Sequence, residues 1–114
     1  KVVLRRMNMT LLQKNPLQIG NISIDFERHQ VSKDGEIIEL TATEFKILAL
    51  LVTNAGRVFT RLQIVEQMQG NSFEGYDRTI DVHIKNLRRK IEDNPREPRY
   101  ILTVYGVGYK FAED

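Results

Sequence analysis

The stretch Asp77-Arg78-Thr79-Ile80-Asp81-Val82-His83-Ile84-Lys85-Asn86-Leu87-Arg88-Arg89-Lys90-Ile91 organises this chain. Ile80, Ile84, Leu87 and Ile91 recur at helical spacing and form one apolar stripe, which has to be buried against the rest of the molecule. Arg78, Val82, Lys85, Asn86 and Arg89 fall on the opposite side, flanked by Thr79, His83 and Lys90. From Arg78 to Lys90 there are five basic residues and one acid, Asp81, a local charge of +4. A helix seated on one side and basic, amide-bearing and hydroxyl-bearing on the other suits the major groove of double-stranded DNA. On the helix alone a merely solvated basic face reads the same way, so its neighbours in the chain decide.

Two capped helices come before it. Leu40-Thr41-Ala42-Thr43-Glu44-Phe45 opens the first: Thr41 and Glu44 form a capping box, with Leu40 and Phe45 as the hydrophobic staple. Phe45, Ile47, Leu48, Leu50, Leu51 and Val52 make this helix apolar nearly all round, and Gly56 is expected to supply its left-handed stop. Phe59-Thr60-Arg61-Leu62-Gln63-Ile64 repeats the device, with Thr60 and Gln63 as the box and Ile64, Val65 and Met68 as the buried side. Residues 69–76 read as a loop, longer than the turn of a plain helix-turn-helix, and Asp77 caps the third helix.

Further out the period changes to two. Ile22, Ile24 and Phe26 alternate with Ser23 and Asp25, as in a half-buried strand. Asp34-Gly35 between 30–33 and 36–39 signals a two-residue hairpin, because both central residues need positive φ. At the other end Asn94-Pro95 stops the third helix. Residues 100–104 and 109–111 read as strands around the tip Tyr105-Gly106-Val107-Gly108. The predicted class is α+β: an N-terminal antiparallel sheet, three helices and a C-terminal hairpin, the layout of a winged helix-turn-helix with the hairpin as wing.

Composition narrows the function. The chain has 114 residues, 41% hydrophobic and 28% charged, which suits one globular domain with a modest core. The absence of cysteine excludes disulfides and thiolate metal sites. No apolar run is long enough for a membrane span. Net charge is only +2, yet the bases cluster in residues 1–16 and in the third helix, a local footprint for a polyanion. Lys1 at the start, in place of Met, is expected of a piece of a longer protein. His29 and His83 are the only histidines and no carboxylate cluster has ligand spacing, so no metal and no cofactor is expected. Gly106-Val107-Gly108 lacks a third glycine and opens no helix, so it is no nucleotide loop. With no catalytic constellation, an enzyme is not expected.

Four segments, Leu40–Leu51, Val58–Arg61, Asp77–Ile91 and Val104–Phe111, carry a resemblance. In order and spacing they resemble the OmpR/PhoB-type winged-helix effector domain of bacterial two-component response regulators, over Leu17–Phe111. Lys1–Met7 resembles the last turns of the preceding receiver domain, which makes 1–16 a linker and tail and 17–114 the winged-helix domain. The resemblance implies a cytoplasmic transcription regulator that binds double-stranded DNA, as homodimers on tandem half-sites. It implies a receiver domain and a cognate sensor kinase as partners, and no membrane. It implies DNA contacts at Arg78, Val82, His83, Lys85, Asn86 and Arg88, with phosphate contacts at Thr79 and Arg61. In the wing it points to Thr103 and to Tyr105, where the family commonly places an arginine in the minor groove, and Lys110 is the nearest basic candidate for a backbone contact. Some members use the loop matching 69–76 (Asn71, Ser72, Phe73 and Glu74 here) to touch RNA polymerase.

The chemistry of the residues divides the work. Arg78 can fork onto guanine O6 and N7, Asn86 can pair with adenine N6 and N7, and Val82, which has no core to join, suits a thymine methyl. His83 completes the base-edge candidates. Lys85, Arg88, Arg89 and Lys90 suit phosphates, which position without selecting. The other reading is a winged helix used for protein contacts or dimerisation, but such a surface more often exposes aromatics and fewer lysines.

Overall fold

The computed structural model describes residues 15–69 and 77–113. The expectations for the receiver tail and for Asn71, Ser72, Phe73 and Glu74 lie outside the described residues, as do the side chains of Arg78 and Thr79. The chain divides into two compact units, 1–39 and 40–114.

The first unit is an antiparallel meander of β1 (Leu17–Ile19), β2 (Ile22–Asp25), β3 (Gln30–Lys33) and β4 (Glu36–Ile38), in that order. Leu17, Ile24, Val31 and Ile38 are cross-strand partners and fall in one row, and Ile22, Ile24 and Val31 are buried. Asp34 (φ 52°) and Gly35 (φ 85°) both take the left-handed conformation that the tight hairpin demands. The second strand ends at Asp25, one residue short of the expected Phe26. There the Asp25 carboxylate accepts the backbone N–H groups of Glu27 (3.0 Å) and Arg28 (3.1 Å) and turns the chain.

The second unit holds α1 (Ala42–Thr53), β5 (Phe59–Thr60), α2 (Arg61–Gln69), α3 (Asp77–Ile91), β6 (Ile101–Val104) and β7 (Gly108–Phe111). Both capping boxes form reciprocally. Thr41 Oγ1 accepts from the Glu44 N–H at 3.1 Å while Glu44 Oε1 accepts from the Thr41 N–H at 3.0 Å. The Thr60 and Gln63 pair does the same at 3.0 and 2.9 Å. The end of α1 differs from expectation: Asn54, not Gly56, is the cap residue, and its Nδ2 donates to the Leu50 carbonyl at 2.9 Å. Gly56 (φ 89°) turns the chain two residues later, where its N–H donates to the Phe111 carbonyl at 2.9 Å.

Phe45, Ile47, Leu48 and Leu51 of α1, Ile64 and Val65 of α2, and Ile80, Ile84, Leu87 and Ile91 of α3 are all buried. The three helices pack on one another, so the α3 stripe lies in the core as its spacing required. The wing is more than a hairpin. The short strand β5 pairs with β7, giving a three-stranded antiparallel sheet of order β5-β7-β6. Gly108 permits this, because a Cβ there would overlap the Phe59 carbonyl.

One buried acid was not anticipated. Glu92, just past α3, accepts the backbone N–H groups of Arg99 (2.7 Å), Tyr100 (3.0 Å) and Ile101 (2.8 Å), and so ties the start of β6 to the end of α3. Glu92→Ala would orphan these donors, each costing about 1–3 kcal/mol if left unmet. The expected loss of stability is about 3 kcal/mol in a urea unfolding series. A loss below about 1 kcal/mol would show that water replaces the carboxylate freely.

Candidate nucleic-acid interface

With its stripe buried, α3 turns its other side outward. Val82 is 54% exposed, an apolar side chain on a polar surface. His83 and Asn86 are half-buried, and Lys85 and Arg89 are exposed. These five residues lie together along one side of the helix.

Of the other polar residues of α3 whose side chains are described, Asp81, Arg88 and Lys90 have partners within the unit. Asp81 Oδ1 accepts from Arg61 Nε of α2 at 2.6 Å and from the Tyr109 hydroxyl of β7 at 2.6 Å. One carboxylate thus joins α2, α3 and the wing sheet. Burial by itself raises the Asp81 pKa, but the hydrogen bonds from Arg61 and Tyr109 and the Arg61 charge outweigh it and hold the carboxyl below its usual range. Burial, and then the bond to Asp81, push the Tyr109 hydroxyl up. The Arg61 and Arg88 guanidinium groups lie 5.7 and 5.6 Å from the Tyr109 ring centroid.

Arg88 is clamped to β6. Its Nε and Nη2 donate to the Ile101 carbonyl at 3.1 and 2.9 Å, and Nη2 also donates to Thr103 Oγ1 at 2.7 Å. Lys90 reaches the other way, to Glu44 Oε1 at 2.6 Å. Arg61, Arg88, Lys90 and Thr103 were expected at phosphates, yet each has a partner inside the unit. At the wing tip the Val107 N–H donates to the Val104 carbonyl at 2.9 Å, and Gly106 has φ 81°. Tyr105 there is 89% exposed. Lys110 is half-buried on β7.

Asp81 and Tyr109 are the residues that sequence reasoning passed over. Their signal was faint: one acid inside a run, 78–90, of charge +4, and a tyrosine directly after the wing glycines. Among the described residues no group of His, Cys, Asp and Glu could hold a metal ion.

The chain and its fold have relatives. The model of the family described as "Transcriptional regulatory protein, C terminal" matches residues 35–111. The sensory transduction protein RegX3 of Mycolicibacterium smegmatis is 46% identical over 94 residues, 82% of this chain and 41% of RegX3. The response regulator DrrB of Thermotoga maritima, an OmpR/PhoB homologue, superposes with TM-score 0.82 at 37% identity, over 98% of this chain and 52% of DrrB. The Klebsiella pneumoniae RstA DNA-binding domain, solved in complex with the RstA box, superposes with TM-score 0.75 at 38% identity, over 84% of this chain and 95% of that one. The chain belongs to this family of transcriptional regulatory C-terminal domains, as a winged-helix effector domain of the OmpR/PhoB response-regulator type. It spans about two fifths of the length of RegX3 (41%), a curated relative.

The Asp81 junction makes a pH prediction. Because the folded pKa is depressed, its contribution is present above the ordinary carboxylate value of about 3.9 and is lost as pH falls through the lower folded value. Asp81→Asn is expected to be less stable at neutral pH and to lose less on acidification. Thermal unfolding of both proteins between about pH 6 and pH 3 checks this; parallel acid limbs would contradict it.

Proposed function

We propose that this DNA-binding effector domain recognises double-stranded DNA sequence-specifically, with α3 in the major groove and the β6–β7 hairpin as a wing on the adjacent backbone and minor groove. The observation that carries the reading is the outward face of α3. It sets an exposed valine beside an asparagine and a histidine, flanked by exposed cations, opposite a fully buried stripe. A thymine methyl gives Val82 an apolar partner, and Asn86 and Arg78 are the side-chain types that pair bidentately with adenine and guanine edges. His83 is the fourth base-edge residue. Lys85 and Arg89 supply grip, with Thr79 and Lys110 as further backbone contacts. Arg61, Arg88 and Thr103 act mainly by holding α3 against the wing, and Lys90 by holding α3 to α1. Tyr105 takes the wing-tip position between Val104 and Gly106, so the wing reads by shape and hydrogen bonding in place of a cation.

We further infer that residues 1–16 link this domain, 17–114, to a receiver domain under a sensor kinase. The whole protein works in the cytoplasm as a homodimer on tandem half-sites, and residues in the segment 69–76 meet RNA polymerase. Among the described residues no helix is long and apolar enough to cross a membrane.

Selection of bound sequences from random duplex DNA tests the main reading. An enriched direct repeat is expected; no enrichment at all would favour a domain that meets proteins instead. Arg78→Ala should weaken the selected site by about 1–3 kcal/mol and relax one base position. Arg89→Ala should weaken all duplexes alike, whereas Lys90→Ala should lower stability by about 1–2 kcal/mol and leave DNA affinity nearly unchanged. Filter or fluorescence titrations at several salt concentrations, beside urea unfolding, separate the two effects.

A further inference from the structure

The side of α3 that carries Lys85 and Arg89 does not stop at the helix end. Asp81, Lys85, Arg88 and Arg89 form one wall of a concavity of about 560 Å³, and the turn Asn94-Pro95-Arg96 forms the other. Four cations and one carboxylate line this space. Asp81 is already paired with Arg61 at 2.6 Å, and Arg88 is held by the Ile101 carbonyl and Thr103 through Nε and Nη2. Lys85, Arg89 and Arg96 remain, and among the described residues none of the three lies within ion-pair distance of a carboxylate.

The negative end of the α3 dipole would favour Arg89 in the last turn without any ligand. It does not account for Lys85 a full turn earlier, nor for Arg96 on a separate segment. The turn that presents Arg96 is itself fixed: the Arg96 N–H donates to Asn94 Oδ1 at 3.0 Å and the Glu97 N–H to the Asn94 carbonyl at 2.9 Å. A rigid turn therefore holds a third cation against two helix cations, at the cost of their mutual repulsion. A phosphate group relieves that repulsion and accepts from all three.

We propose that this concavity is a second backbone-phosphate seat, in which Arg96 joins Lys85 and Arg89 around a phosphodiester of the bound duplex lying beyond the base pairs that α3 reads. The inference rests on the DNA-binding reading above. A polyanion is favoured over a free small anion because the seat is continuous with the outward face of α3. The cations engage one phosphate among many, so the contact adds footprint and grip without sequence choice.

The test uses the intact chain and duplexes carrying the selected site. Arg96 is exposed and its turn is held by backbone and Asn94, so Arg96→Ala keeps the fold. It is expected to weaken every duplex by about three- to tenfold at low salt and to reduce the salt slope by about one. Arg96→Lys should restore most of the slope. Trimming the duplex one base pair at a time from each end should reach a length at which wild type and Arg96→Ala bind equally, because the outer phosphate is gone. An unchanged slope with affinity within about twofold would overturn the proposal, as would a shift in the selected base sequence. If inorganic phosphate alone saturates the Arg96 and Arg89 NMR signals while the DNA salt slope of the variant stays at the wild-type value, the seat serves a free anion and the proposal fails. Failure of wild type to bind any duplex would instead sink the DNA reading itself.

Discussion

The burial of Ile80, Ile84, Leu87 and Ile91 is the constraint on which the second unit depends. All four are at most 3% exposed. Fully burying an aliphatic side chain is worth about 1.5–3 kcal/mol, so the stripe contributes about 6–12 kcal/mol as an upper bound. That is comparable with the whole net stability of a small domain, about 5–15 kcal/mol. A quarter-turn of α3 about its axis would forfeit much of it. The direction in which Val82, Asn86, Lys85 and Arg89 point is therefore set from behind, by hydrocarbon packing, and costs the reading face no polar anchors of its own.

Packing sets the rotation of α3, but polar ties set its relation to the wing. Glu92 gathers three N–H groups at the start of β6, Arg88 bonds the Ile101 carbonyl and Thr103, and Asp81 accepts from Tyr109 on β7. The ties join the helix, or the residue just past it, to the start of β6, to Thr103 further along it and to β7, with Glu92 and Arg88 meeting at Ile101. Hydrogen bonds are directional where hydrophobic contact is not, so three of them at separated points fix an angle that packing alone would leave soft. A protein that reads a groove with a helix and rests a wing beside it needs that angle before the nucleic acid arrives, because ordering it on binding would subtract from affinity.

This division also explains which cations remain for a ligand. Of the basic residues on α3 whose side chains are described, Arg88 and Lys90 have partners inside the unit, one toward the wing and one toward α1. Lys85 and Arg89 are left facing solvent, and Arg96 is brought beside them. Among the described residues, the cations of the face without a partner in the unit are therefore fewer than its count of bases suggests, and they lie toward the C-terminal end of α3 and the turn that follows.

The sequence by itself determined most of what depends on near neighbours, the Asn54 cap of α1 and the Asp25 turn apart. The Thr41/Glu44 and Thr60/Gln63 boxes, the Asp34-Gly35 hairpin, the α3 stripe and the glycine-tipped wing are all set by residues within about one or two turns of each other, and the order of these elements already implied the winged helix. Only the tertiary structure decided the partners of the charges. Arg61 and Asp81 are 20 positions apart, Tyr109 and Asp81 28, Lys90 and Glu44 46. Whether a cation is free for a phosphate depends on whether a carboxylate lies within about 4 Å of it, and no periodicity carries that distance. The two-residue strand β5 was hidden for the same reason: its pairing with β7 exists only because Gly108 lets the Phe59 backbone approach.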